Sequence, residues 1–182
     1  MEIDFCKGGY VVYGSAGVCY IEDIRNMRFP SERGERCYYI LRPVRNASST
    51  LYVPVDNEKL REKMRHVLTK EEIDAILEEN RDKEIQWQSD KKKREEEFRK
   101  ILKERNQKEM LLLVSCIYLK KRELISAGKK LNYTDEGILQ EAERCIDDEF
   151  SFALRLPAGG VGAYIRERLE ILPGNFQERP GK

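Results

Sequence analysis

Apolar and polar residues follow two different rhythms along this chain, and the change falls near residue 57. Before it, apolar residues come in short runs rich in aromatic and β-branched side chains. These are Tyr10-Val11-Val12-Tyr13, Val18-Cys19-Tyr20-Ile21 continuing towards Ile24, Cys37-Tyr38-Tyr39-Ile40-Leu41, and Leu51-Tyr52-Val53-Pro54-Val55. Each is bounded by Gly, Pro, Asn or Ser, residues that turn a chain, so four or five short strands are predicted. Strands this short and this close together imply a small bent sheet or barrel. Pro54 has no N–H to give to a ladder, which places its strand at an edge or its residue at a strand end.

Beyond residue 57 the period lengthens to that of a helix. Asn57 is positioned to cap a helix carrying Leu60, Met64 and Val67, and Thr69-Lys70-Glu71-Glu72 is a capping box opening a second helix with Ile73, Ile76 and Leu77 on one face. Residues 80–93 are almost wholly polar apart from Ile85 and Trp87. A helix with Phe98, Ile101 and Leu102 follows, then one from about Glu109 to Leu124. Thr134 is expected to cap a further helix through Ile138, Leu139, Ala142, Cys145 and Ile146. Pro157 to Gly162 breaks it, and Tyr164, Ile165 and Leu169 define a last short helix. The expected class is α+β: a small β-barrel or bent sheet over residues 1–56, an all-α helical bundle over 57–172, and a loose tail over 173–182.

Composition narrows the function classes. With one histidine in 182 residues, neither a histidine-based triad nor a histidine-rich metal site can be assembled. The glycines of Ala158-Gly159-Gly160-Val161-Gly162 lack dinucleotide-fingerprint spacing, and Gly128-Lys129-Lys130 is not a phosphate-binding loop. No enzyme, cofactor or small-molecule substrate is expected. The longest apolar stretch, Met110 to Leu119, is too short to span a bilayer, and the opening Met-Glu-Ile-Asp is not a secretion signal. The five cysteines (Cys6, Cys19, Cys37, Cys116, Cys145) form no CxxC pair and read as reduced core thiols of a cytoplasmic protein.

A net charge of +1 conceals an uneven distribution. Residues 81–130 carry sixteen basic against nine acidic side chains, a local excess of seven, while residues 131–182 carry six against ten. The basic groups include Lys91-Lys92-Lys93-Arg94, Lys120-Lys121 and Lys129-Lys130. Such a belt suits a phosphate backbone through counterion release. It equally suits a solvated helix face, because Glu95-Glu96-Glu97 follows directly. Trp87 lies just ahead of the belt with little apolar sequence to bury it. It is either an exposed wedge for a minor groove or an unpaired base, or it packs back onto the bundle or the β half through Ile85.

In order, Gly9-Tyr10-Val11-Val12-Tyr13-Gly14, Gly17-Val18-Cys19-Tyr20-Ile21, Tyr38-Tyr39-Ile40-Leu41 and Thr50-Leu51-Tyr52-Val53-Pro54-Val55-Asp56-Asn57 resemble the CarD/CdnL family of bacterial transcription regulators. The resemblance implies a Tudor-like domain that docks on the protrusion/lobe of the RNA polymerase β subunit, and a helical domain on promoter DNA near the −10 region. On this likeness Arg25, Met27, Arg28, Thr50, Leu51, Tyr52, Val53 and Pro54 would meet the polymerase. Trp87, with Lys91, Lys92, Lys93, Arg94, Lys120, Lys121, Lys129 and Lys130, would meet DNA, the indole wedging at the upstream edge of the bubble. The chain departs from the family pattern at Tyr52, where some members place arginine, and between Trp87 and Arg105-Asn106, which is about a turn longer than in some relatives. The competing reading is an adaptor whose helical half binds another protein and touches no DNA.

Overall fold

A computed structural model describes residues 5–30, 34–157 and 159–168. The chain divides into two compact units between Val67 and Leu68.

The first unit is an antiparallel five-stranded sheet: β1 (Tyr10–Tyr13), β2 (Val18–Met27), β3 (Arg36–Pro43), β4 (Leu51–Pro54) and β5 (Met64–His66), in the order β4-β3-β2-β1-β5. The turn from β1 into β2 needs backbone that side chains rarely adopt, and Gly14 (φ 44°) and Gly17 (φ 71°) supply it. One face carries the core of Val11, Cys19, Ile21, Tyr39, Leu41 and Val53, each at most 1% exposed. Burying side chains of this kind contributes roughly 1.5–3 kcal/mol each, so register is fixed by the face that must be dry. Among the described residues β4 and β5 do not pair, so the sheet is open with two edges rather than a closed barrel.

Two expectations are corrected here. Leu60, Met64 and Val67 do not share a helix. A single turn, α1 (Glu58–Arg61), is capped by Asn57, and Met64 then lies in β5, opposite Tyr13 of β1. Leu60 and Met64 both pack on the sheet core, so their spacing of four mimics a helix while serving a strand. The first unit accordingly runs on to Val67, past the expected limit at residue 56. Of the five cysteines, all free thiols, Cys19, Cys116 and Cys145 are buried and Cys37 is half-buried, but Cys6 is exposed rather than in a core.

The second unit is all helical: α2 (Lys70–Asn80), α3 (Lys91–Glu104), α4 (Gln107–Ser126), α5 (Tyr133–Leu154) and α6 (Gly160–Arg168). Thr69 and Glu72 close the capping box of α2 reciprocally, at 3.2 Å and 2.7 Å. Ile73, Phe98, Met110, Leu113, Ile117 and Phe150 are 0% exposed and form the centre of the bundle. The cap of α5 is Asn132, whose side chain accepts the Asp135 amide; Thr134 sits inside the first turn instead. That helix stops at Arg155, in the left-handed conformation, two positions before Pro157. The expected tail over 173–182 and Leu169 of the last helix lie outside the described residues.

Candidate functional site

In the first unit, β4 forms one edge of the sheet. The Val55 amide donates to the Cys37 carbonyl at 2.9 Å, so by alternation Leu51 and Val53 also turn their backbone polar groups towards β3. Tyr52 and Pro54 turn theirs outward. Pro54 has no N–H to offer there, and its carbonyl accepts the Asn57 amide. What the edge presents to a partner strand is therefore the Tyr52 N–H and C=O.

The Tyr52 side chain, 43% exposed, stands on the face away from the core, opposite Ile40. Phe29 packs edge-on against it at 5.2 Å and against Tyr38 at 5.3 Å. Beside it opens a groove of about 360 Å³ lined by Lys7, Asp23, Arg25, Arg42, Thr50 and Tyr52, among others. Three of the expected polymerase-contacting residues, Arg25, Thr50 and Tyr52, thus meet in one place. Lys7 donates to Asp23 at 2.9 Å, and this bond, with Arg25 nearby at 3.8 Å, holds the Asp23 carboxyl below its ordinary range. Met27 is half-buried at the end of β2, opposite Arg36, and Arg28 is exposed beyond it. Val53 is fully buried in the core and Leu51 packs against it, so these two can serve a partner only through backbone position.

In the second unit the site is built around Trp87, on the irregular segment between α2 and α3. The indole is half-buried. Its ring stands edge-on to Phe98 at 6.0 Å, and the Arg94 guanidinium lies 4.3 Å from its centroid. Packing onto the bundle, one of the two sequence alternatives, is thus found, yet the ring is not sealed inside.

Arg94 departs from the expectation that it meets phosphate: it is 5% exposed and turned inward. The reason is its place on α3, one helical turn before Phe98 and on the same buried stripe. It pairs with Asp135 of α5 at 2.9 Å and donates to the carbonyls of Gln88 at 2.7 Å and Ser89 at 3.5 Å. This bridge brings the start of α3, the start of α5 and the Trp87 segment to one end of the unit.

The remaining cations sort into two groups. Lys91, Lys92, Lys93, Lys129 and Lys130 are exposed, and none makes an ion pair among the described residues. Lys120 and Lys121 are half-buried and paired, with Glu123 at 2.8 Å and Glu136 at 3.0 Å; the Lys120 ammonium also lies 5.8 Å from the indole centroid. Three lysines in the first turn of α3 add to the positive end of the helix dipole, an arrangement that costs stability in isolation and attracts anions. Sequence reasoning missed Asp135, whose only signal was its place three residues after a capping asparagine. Tyr133, the first residue of α5, is 94% exposed.

Among the described residues no cluster of metal-ligating side chains is present, and no helix is long and apolar enough to cross a membrane. Residues 5–68 match the CarD-like/TRCF RID domain. No curated protein matches the chain in sequence. The match coincides with the sheet unit and ends where the helical unit begins. A domain of this type is a protein-interaction module, and it gives the first unit an RNA polymerase-interacting, transcription-related function.

Proposed function

We propose that this chain, with its CarD-like RID domain at residues 5–68, is a bacterial transcription regulator that docks on the RNA polymerase β subunit and stabilises the open promoter complex. In this reading a strand of the β-subunit protrusion/lobe adds to β4, using the Tyr52 N–H and C=O, while Arg25 and Tyr52 line the adjoining groove. The helical unit lies on promoter DNA near the −10 region. Lys91, Lys92, Lys93, Lys129 and Lys130 neutralise phosphates without reading bases, and Lys120 and Lys121 contribute once their carboxylate partners exchange for phosphate. Trp87 is the wedge at the upstream edge of the bubble, where an apolar ring placed at the junction disfavours reannealing. Stabilising the open state by about 1.4 kcal/mol raises its population ratio tenfold, so no catalysis is needed.

The observation that carries the reading is the half-exposed indole, with the Arg94 guanidinium 4.3 Å and the Lys120 ammonium 5.8 Å from its centroid, in a chain whose other unit is of a polymerase-interacting type. Trp87→Ala tests it: polymerase binding stays, and the open complex decays faster. The runner-up, an adaptor that touches no DNA, draws on the packing of Trp87 against Phe98 and on the lysine–carboxylate pairs. Emission from the single tryptophan separates the two, because forked DNA quenches it in a salt-sensitive way only under the first reading.

A further inference from the structure

Arg94 is the one arginine in Lys91-Lys92-Lys93-Arg94 and the one member of that run that is buried. A charge on the apolar stripe of a helix is costly unless every donor finds a partner. Here Nε and Nη2 reach the Asp135 carboxylate at 3.4 Å and 2.9 Å, and Nη1 reaches the carbonyls of Gln88 and Ser89. The guanidinium carbon lies over the indole of Trp87, 4.3 Å from its centroid. A lysine could carry the same charge but has neither the plane to stack nor the fork to span a carboxylate and a loop carbonyl together. Asp135 is itself 1% exposed and fixed, its amide donating to Asn132 at 2.9 Å and its carboxylate accepting from the Asn132 side chain.

The segment that bears Trp87 has no helix or strand of its own, yet the two carbonyls that follow the indole are both held by Arg94. We infer that Arg94 and Asp135 are a positioning pair that clamps Trp87 in the orientation in which it meets DNA, so that the wedge is set before DNA arrives. Ordering a large side chain in advance removes that cost from the binding step, which is how a residue that touches no DNA sets the effectiveness of one that does. The inference rests on the reading of Trp87 as the DNA contact.

Arg94→Lys keeps the charge and removes the plane and the fork. Because the chain has one tryptophan, emission reports this ring alone. In the free full-length protein, Arg94→Lys should lower the steady-state anisotropy of Trp87 and raise its acrylamide quenching at least twofold, with far-UV circular dichroism unchanged. Open-complex lifetime with polymerase on a linear promoter should fall about fivefold in Arg94→Lys, and not at all when the same change is made in a Trp87→Ala background. If anisotropy and quenching stay as in the wild type, the clamp is refuted whatever DNA does. Equal shortening of the lifetime in both backgrounds also overturns it, since Arg94 would then act without the indole. Lifetime unaffected by Trp87→Ala alone would instead refute the DNA reading, and with it the role of the clamp in that reading. Should Arg94→Lys fail to fold, Asp135→Asn, which frees the guanidinium while preserving side-chain size, carries the same measurements with the same outcomes.

Discussion

Pro54 lies opposite Tyr38 across the β3–β4 ladder, with its ring nitrogen on the open side of the strand and Tyr52, two residues earlier, turning its N–H the same way. Proline at this position protects the edge from indiscriminate pairing and leaves one amide for a specific partner. Two substitutions one residue apart should therefore behave oppositely. Tyr52→Pro removes the outward N–H and should weaken binding to the isolated β-subunit lobe at least tenfold (about 1.4 kcal/mol) while the melting temperature stays within a few degrees. Val53→Pro removes an inward N–H and should unfold the sheet. Calorimetry on both variants, with Tyr52→Ala as the control that keeps the N–H, checks this; a Tyr52→Pro protein that binds as tightly as wild type places the interface elsewhere.

The unpaired lysines give a prediction in salt. Each phosphate that a protein neutralises adds about 0.9 to the steepness with which log K falls against log salt on duplex DNA. Replacing Lys91, Lys92 and Lys93 with Gln should make that dependence shallower by about two to three, whereas replacing Lys120 and Lys121 should change it by less, because Glu123 and Glu136 already compete for them. Fluorescence anisotropy of labelled DNA, titrated at several salt concentrations, reads both.

Much of this architecture is legible in the sequence. The aromatic runs at Tyr10 and Tyr38 mark strands because nothing else bounded by Gly and Pro is so β-branched and aromatic, and the reciprocal box of Thr69 and Glu72 marks the start of α2 to the residue. What escaped depends on partners distant in sequence. Met64 is a strand residue only because β1 offers it an edge, and its spacing from Leu60 says helix. Arg94 looks like one more cation of a basic run. Its spacing of four from Phe98 was the available clue to burial, but the Asp135 that makes burial tolerable is forty-one residues away.

The place of β5 yields its own test. A fragment ending at Val67 retains β5 against β1, whereas one ending at Asp56 leaves Val11 and Val12 on an uncovered edge. The longer fragment should give dispersed amide NMR signals and a cooperative melt; the shorter should aggregate or remain unfolded. Equal behaviour would mean that residues 57–67 add nothing to the sheet.

Burial pushes the thiols of Cys19 and Cys116 up to about 11, from an ordinary value of 9.0. The folded state thus holds these protons more tightly than the unfolded chain. Their contribution to stability is complete below about pH 9 and is lost as pH rises from there through about 11. Between pH 8 and pH 10.5 the urea midpoint of the wild type should fall further than that of a Cys19→Ala/Cys116→Ala protein, which lacks both titrations. A parallel fall in the two proteins contradicts the assignment.

The central claim is that Trp87, held half-exposed against Phe98 and Arg94, props open the upstream edge of a promoter bubble while the sheet unit is anchored to polymerase. The most direct measurement is the lifetime of heparin-challenged open complexes with wild-type protein and with Trp87→Ala, both shown beforehand to bind core polymerase equally. The account predicts that wild type prolongs the lifetime about tenfold over polymerase alone and that Trp87→Ala loses most of that gain. Equal lifetimes with the two proteins would contradict it.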